Sequence, residues 1–494
     1  MPDPTIFEKL RPCGRLETHS TARHHLGLYK TVGLTAEYKV PSSTQLSLES
    51  HVYGALRHVI SHHSNLSAIA LSEDQSYPNA YFARLPAINL RTCVEFLQRK
   101  SPFPEDGESD QELDKILVQQ HSRDFKQDLG SKPFWRVLVV TSPGDVTRFT
   151  ATWVWHHALA DGISGFIFHD SFLAGLNSLK EEDSTDPIVK SPSTPLLPPL
   201  EELHPMPISW PFFLHAILAS ILPSIFAKRP VKLWTGRPIP LDVTIESKTR
   251  LRTLVFSKPT TTKLAQVSRR EKTSVTATLQ CLLTASLFSL LPAAEYQRLI
   301  IEGPMSVRRF LNVKDDQMTD AFAQYQFLHE RTANDAQARP ILQYFSWDTA
   351  RAVKSVIAAE AAKGGNDNFI ALLRYVSSMH QFLLGKMGKP RTPSAEVSNV
   401  GVWQGAKSQA TQSETKWRIG RMVFSQSHNI VANPFAMNVV TGGDGNAVAS
   451  FCWSEAAVDE DFMNKVIDGV REGVEELAVG EPELRIHEHL NFAV

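Results

Sequence analysis

Leu48, Val52, Leu56, Val59 and Ile60 recur at helical spacing, which predicts an amphipathic helix over 47–63. The period then changes. Residues 136–140 and 148–155 are β-rich runs joined by Ser142-Pro143-Gly144-Asp145, a turn sequence. Phe149, Ala151, Trp153 and Trp155 share one face of the second run, and continued alternation places His157 on that face. A helix follows, with Ile163, Phe166, Ile167, Leu173 and Leu176 as its buried side. Residues 184–208 are rich in Pro, Ser, Thr and acidic side chains without periodicity, the mark of a linker. Beyond it the mixed pattern resumes. Strand-like 252–256, helical 275–290 and strand-like 299–302 are followed by further strands at 422–426, 437–440 and 448–453. Gly442-Gly443-Asp444-Gly445 forms the hairpin turn between the last two. Phe462, Val466, Ile467, Val470, Val474 and Leu477 make one apolar face of a closing helix that starts at Asp459. The pattern predicts an α/β chain: an N-terminal lobe over 1–183, a linker or crossover over 184–245, and a C-terminal lobe over 246–494.

Composition narrows the function classes. A chain of 494 residues exceeds one small core, and 42% hydrophobic with 21% charged residues is globular usage. The formal net charge of −1 supplies no field that would recruit nucleic acid. Cys13, Cys93, Cys281 and Cys452 stand singly, which fits buried thiols in a reducing compartment better than disulfides or zinc. Charges interrupt the first apolar positions, so no secretory signal is visible and a cytoplasmic location is expected.

The chemistry concentrates in Trp153-Val154-Trp155-His156-His157-Ala158-Leu159-Ala160-Asp161-Gly162, where a β-run ends in two histidines and Asp-Gly opens a helix. An imidazole at a strand end is held by the sheet, can face a cleft, and can take a proton from a hydroxyl near neutral pH. Asp161 lies within local reach and can orient the loop, while Gly162 permits the backbone turn into the helix.

These residues resemble the His-His-x-x-x-Asp-Gly motif of the superfamily that holds chloramphenicol acetyltransferase, peptide-synthetase condensation domains, plant acyltransferases and fungal alcohol acetyltransferases. Further resemblances run along the chain. Arg15-Leu16-Glu17 with Arg23-His24-His25-Leu26-Gly27 looks like the opening of alcohol acetyltransferases, and Pro133-Phe134-Trp135-Arg136 resembles the segment before the motif strand. Trp234-Thr235-Gly236, 304–308 and Ser398-Asn399-Val400-Gly401 resemble later landmarks in the same order. The Asp-Phe-Gly-Trp-Gly motif of the plant branch is absent from the sequence, which points to the alcohol acetyltransferase branch.

The resemblance implies two chloramphenicol-acetyltransferase-like lobes with a tunnel between them. It implies His157 as general base and Asp161 as chiefly structural, paired with an arginine, for which Arg308 is the candidate and Arg309 the second choice. His156 and Gly162 support the loop. Ser398 and Asn399, with Ser425 at another strand end, are candidates to line the tunnel and donate toward a developing oxyanion. The co-substrate implied is acetyl-CoA or another acyl-CoA, the acceptor a small alcohol. No bound cofactor, metal or nucleic acid is expected, and the chain is expected to act as a monomer.

Other features read more plainly. His24-His25 and His62-His63 have no carboxylate or cysteine at ligand spacing, so neither predicts a metal site. Gly162-Ile163-Ser164-Gly165 is not a nucleophile elbow, and Cys281 lies inside an apolar helix. Residues 210–227 are the most apolar segment; with Pro211, His215 and Pro223 they read as packed in the fold, walling the tunnel mouth, or lying on an internal membrane surface. Two rival functions stand beside alcohol acylation. One is acyl transfer from a carrier-protein thioester or to an amine; the other reuses the tunnel for binding or for different chemistry.

Overall fold

The computed structural model describes residues 6–41, 46–180, 186–222, 225, 229–242, 248–332, 341–405, 409 and 416–479. Two sheets organise the chain. The first has five strands in the order Arg418–Gln426, Val32–Lys39, Asp145–Trp155, Trp135–Ser142 and Val94–Gln98. The second has six, in the order Thr249–Phe256, Ala447–Ser454, Phe435–Thr441, Ala395–Val402, Arg298–Ser306 and Phe322–Glu330. Each sheet carries its own core, so the two-lobed α/β reading holds.

The predicted periodicities place these layers. Helix Leu48–His62 starts where the Ser47 hydroxyl accepts from the Ser50 N–H, and it buries Val52, Leu56, Val59 and Ile60 against the first sheet. Trp153 and Trp155 stack at 4.0 Å between ring centres, and Phe168 of helix Gly162–Ser178 stacks on Trp153 at 4.6 Å. In the second lobe, helices Val275–Leu290 and Glu460–Val479 bury Leu282, Val466, Ile467 and Val470 beside Ile301, Val397 and Phe451 of the sheet. All four cysteines are unpaired and buried, Cys281 among them.

The lobes are not consecutive stretches of chain. Strand Arg418–Gln426 lies far beyond the linker, yet it pairs antiparallel with Val32–Lys39, with Phe424 opposite Leu34 and Gln426 opposite Val32. A boundary drawn from composition therefore gives the second half one strand that belongs to the first sheet. The linker also has structure of its own. Residues 184 and 185 lie outside the described ones, but Ile188–Lys190 pairs with Ala87–Asn89, and short helices follow at Leu200–Leu203 and Trp210–Ile221.

That last helix carries the apolar segment as far as it is described; residues 223, 224 and 226–228 lie outside the described residues. Ser209 caps it, and Phe213 packs on Tyr375 with ring centres 4.6 Å apart. Trp210, Leu214, Ile217 and Ile221 form an exposed stripe beside it. No single helix among the described residues is long and apolar enough to cross a membrane. The pair Lys258–Arg270 and Val275–Leu290 reaches that length together but is bent by 99°, and the second helix is core.

Candidate active site

The motif strand stops at Trp155, and this decides where the two histidines point. The His156 N–H donates to the Phe134 carbonyl at 2.9 Å, and the chain then tightens into a single 3-10 turn, His157–Leu159. The Trp155 indole N–H donates back to the Ala160 carbonyl at 2.9 Å and closes the loop. Strand alternation therefore does not carry through to His157. The ring leaves the tryptophan face, which is core, and lines a cavity of about 480 Å³ between the lobes.

His156 is buried and committed. Its Nδ1 accepts from the Ala158 N–H at 3.0 Å, so its proton sits on Nε2, which faces Glu73 Oε1 at 3.0 Å. Glu73 Oε2 faces His24 Nδ1 at 2.7 Å, and His24 Nε2 accepts from the Phe125 N–H at 3.0 Å. The fold thus brings a carboxylate to His24 that the sequence did not show. Two imidazoles and one carboxylate at this spacing could hold a cation. The ring protons argue otherwise: a metal-bound imidazole carries its proton on the other nitrogen and donates it. Here both other nitrogens accept from backbone, so both rings turn a protonated nitrogen to Glu73, and His24 hydrogen-bonds to it. Burial works against the carboxylate, but the paired rings prevail and hold its pKa down to about 2. Burial, with the neighbouring His24 ring, lowers the His156 pKa to about 4, so it remains neutral. The cluster is a buried brace for the loop.

Asp161 caps helix Gly162–Ser178, its Oδ1 accepting from the Ser164 N–H at 2.9 Å. Arg308, from the second lobe, grips the same carboxylate with two nitrogens: Nε donates to Oδ2 at 3.1 Å and Nη2 to Oδ1 at 2.8 Å. Its remaining donors reach the carbonyls of Gln317 and Thr319 at 2.8 and 2.9 Å. Arg309 turns away to the Ala361 carbonyl. Gly162 is needed for space rather than for a left-handed turn, since a Cβ there would lie 2.7 Å from Val400 and 3.1 Å from Phe424. Both are residues of the second half of the chain pressed against the motif.

The remaining candidates divide. Ser398 is buried and lines the cavity. Asn399 also borders it, but its amide donates to Thr276 Oγ1 at 3.0 Å and its carbonyl oxygen accepts from the Gly401 N–H at 2.9 Å. That side chain shapes the bulge before Gly401, and one N–H of its amide remains beyond the bond to Thr276. Ser425 points away from the cavity, its Oγ 2.8 Å from His121 Nε2, while the adjacent Gln426 faces in.

One residue was missed altogether. Asp320 is buried, with Oδ2 3.4 Å from His157 Nδ1, and no donor hydrogen-bonds to either carboxyl oxygen among the described residues. Burial pushes its pKa upward and the adjacent His157 pulls the other way. With Nδ1 turned to Asp320, Nε2 is the ring nitrogen left for the cavity. A faint signal was available: Asp320 stands in period two with Phe322, Gln324 and Gln326, which all line the cavity.

Removing one partner from the buried Asp161–Arg308 pair leaves the other charge uncompensated, at a cost of about 3–5 kcal/mol. Asp161→Asn and Arg308→Leu are therefore each expected to lower the unfolding midpoint and the yield of active protein together. An Asp161→Asn protein as stable as wild type but inactive would instead place Asp161 in the chemistry.

Comparison with known proteins agrees with this architecture. Residues 12–460 match the family model described as alcohol acetyltransferase. A probable alcohol acetyltransferase of Aspergillus fumigatus, crmB, is 34% identical over 472 residues, covering 92% of this chain and 97% of the relative. A second, FCK4 of Fusarium pseudograminearum, is 25% identical and covers 95% of each chain. Among solved structures, the TRI3 trichothecene 15-O-acetyltransferase of Fusarium sporotrichioides superposes with a TM-score of 0.67 at 12% identity, covering 96% of this chain and 99% of that one. The first condensation domain of the calcium-dependent antibiotic synthetase gives 0.57 at 12%, covering 96% and 97%. These two likenesses concern the fold. The family match and the curated relative go further: the chain belongs to the alcohol acetyltransferase family.

Proposed function

We propose that this acyltransferase moves an acetyl or other acyl group from a CoA thioester to an alcohol, with His157 as general base. The observation that carries the reading is the placement of His157: its ring lines the inter-lobe cavity, and its Nδ1 is turned to the buried Asp320. Nε2 takes the hydroxyl proton as the alcohol oxygen attacks the thioester carbonyl. The C–S bond then breaks, and the imidazolium returns the proton to the leaving thiolate. An ionised Asp320 would hold the Nδ1–H tautomer and favour the imidazolium that forms between the two steps. The Ser398 hydroxyl is a donor available to the developing oxyanion.

Incubation with labelled acetyl-CoA and a panel of alcohols tests this reading, and absence of ester product from wild type would overturn it. His157→Ala is expected to lose about 10²–10⁴-fold in turnover while remaining folded and binding acyl-CoA. Near-full turnover in that variant would remove the base from the mechanism. Wild-type activity should fall on acidification, because a protonated ring cannot accept the hydroxyl proton. Asp320→Asn removes the acceptor that faces Nδ1, so it should reduce the maximum rate while leaving acyl-CoA binding little changed. A variant with the wild-type maximum rate would reduce Asp320 to packing.

The exposed stripe Trp210, Leu214, Ile217 and Ile221 supports a peripheral membrane contact as part of the same proposal. No Asp, Glu, Lys or Arg lies between 209 and 227, and the sequence then supplies Lys228, Arg229 and Lys232, suited to anionic headgroups. The protein is expected to float with anionic liposomes. Replacing Trp210, Leu214 and Ile217 by Ser should return it to the soluble fraction; unchanged flotation would exclude this helix as the contact.

A further inference from the structure

One wall of the cavity is a face of the six-stranded sheet, and alternation determines what that face presents. Residues 302, 304 and 306 of Arg298–Ser306, 322, 324 and 326 of Phe322–Glu330, and 396, 398 and 400 of Ala395–Val402 all line the cavity. The opposite face of the same strands, with Leu299, Ile301 and Val397, packs on the helices of the second lobe. A wall that served only to pack would be apolar on both faces. This one is not. Glu302 is in register with Gln326 on one side and with Glu396 on the other, so two carboxyl side chains and an amide form one row across three strands.

The partners of that row leave capacity unused. Glu302 Oε2 accepts from Gln326 Nε2 at 3.2 Å. Glu396 accepts from Gln426 Nε2 at 3.2 Å and from Asn433 Nδ2 at 3.1 Å. Amides are thus the direct partners, and a carboxylate has about four acceptor positions. Arg23 and Lys386 line the same cavity and temper the charge at longer range. Burial, reinforced by the neighbouring Glu396, pushes the Glu302 pKa up to about 7. Near neutrality this row can therefore both accept and donate. Two adjacent carboxyl groups in a water-poor wall are costly unless something supplies them with further hydrogen bonds.

We infer that the acceptor alcohol carries, besides the hydroxyl that is acylated, a second donor group, either a hydroxyl or an amine, that docks on Glu302 and Glu396. The inference rests on the acyl-transfer reading above. The phosphates of CoA fit the row poorly, because paired carboxyl groups repel them. The apolar side chains of the cavity, among them Phe322, Phe369, Ile370 and Val431, then take the carbon skeleton between the two polar ends.

The test compares straight-chain alcohols of increasing length with their terminal diols and terminal amino alcohols. Calorimetric binding to the CoA-loaded full chain is read separately from turnover with acetyl-CoA. At the length that spans the cavity, the diol or the amino alcohol should bind about 10–100-fold more tightly than the plain alcohol, the scale of a hydrogen bond to an ionisable group. Glu302→Gln and Glu396→Gln should shrink that ratio, with the loss falling on the KM of the acceptor rather than of acyl-CoA. The wild-type series decides even where a variant fails to fold. If the polar members bind no more tightly than plain alcohols at any length, the inference is overturned; so it is if the variants raise the KM of acyl-CoA and leave the acceptor ratio unchanged. Tight binding of the polar members without any ester formed would instead sustain this subsite and remove the acyl-transfer reading.

Discussion

The ion pair between Asp161 and Arg308 is the constraint on which the site depends. One carboxylate caps the motif helix, receives two nitrogens from the other lobe, and accepts the Ala321 N–H at 3.3 Å. The charge is tolerable in this buried place because nearly all its acceptor capacity is used. The last of those bonds fixes the backbone next to Asp320. The contact that locks the lobes together therefore also determines where Asp320 stands relative to His157. Position and chemistry are coupled through a residue that need not touch the substrate.

The two walls of the cavity divide the labour. The loop after Trp155 belongs to the first lobe, braced from behind by Glu73 between His24 and His156, and it contributes His157. The second lobe contributes a sheet face whose alternate side chains vary in polarity without disturbing the core behind them. Substitutions at a position such as 324 can alter the cavity lining, while Leu299, Ile301 and Val397 preserve the fold.

What was legible in the chain follows from range. The motif strand, its loop and the helix start are contiguous, so periodicity and cap chemistry reveal them, and the landmark at 304–308 pointed to Arg308 as the partner of Asp161. Contacts made by distant segments left no local trace. Glu73 meets His156 only because the chain returns to it, and Asp320 reaches His157 only after the lobes close. Alternation helped where a strand continued and misled where it ended: His157 escapes the tryptophan face because the strand stops at Trp155. The same rule applied at 424–426 would have favoured Gln426 over Ser425, since Phe424 and Gln426 share the inward face. Asn399 could not have been settled this way, because the bulge before Gly401 breaks the period at that point.

Strand Arg418–Gln426 has a further consequence for how the protein comes into being. During synthesis the first lobe emerges complete except for one edge, and Val32–Lys39 must wait for a partner made much later. Until then its unpaired backbone groups offer a template for any extended segment, which is a liability for a nascent chain. The first lobe thus lacks one of its strands until most of the second half has been made. A gene fragment ending near residue 245 would encode an open sheet, and the two halves of this enzyme would be inherited, expressed and exchanged only together.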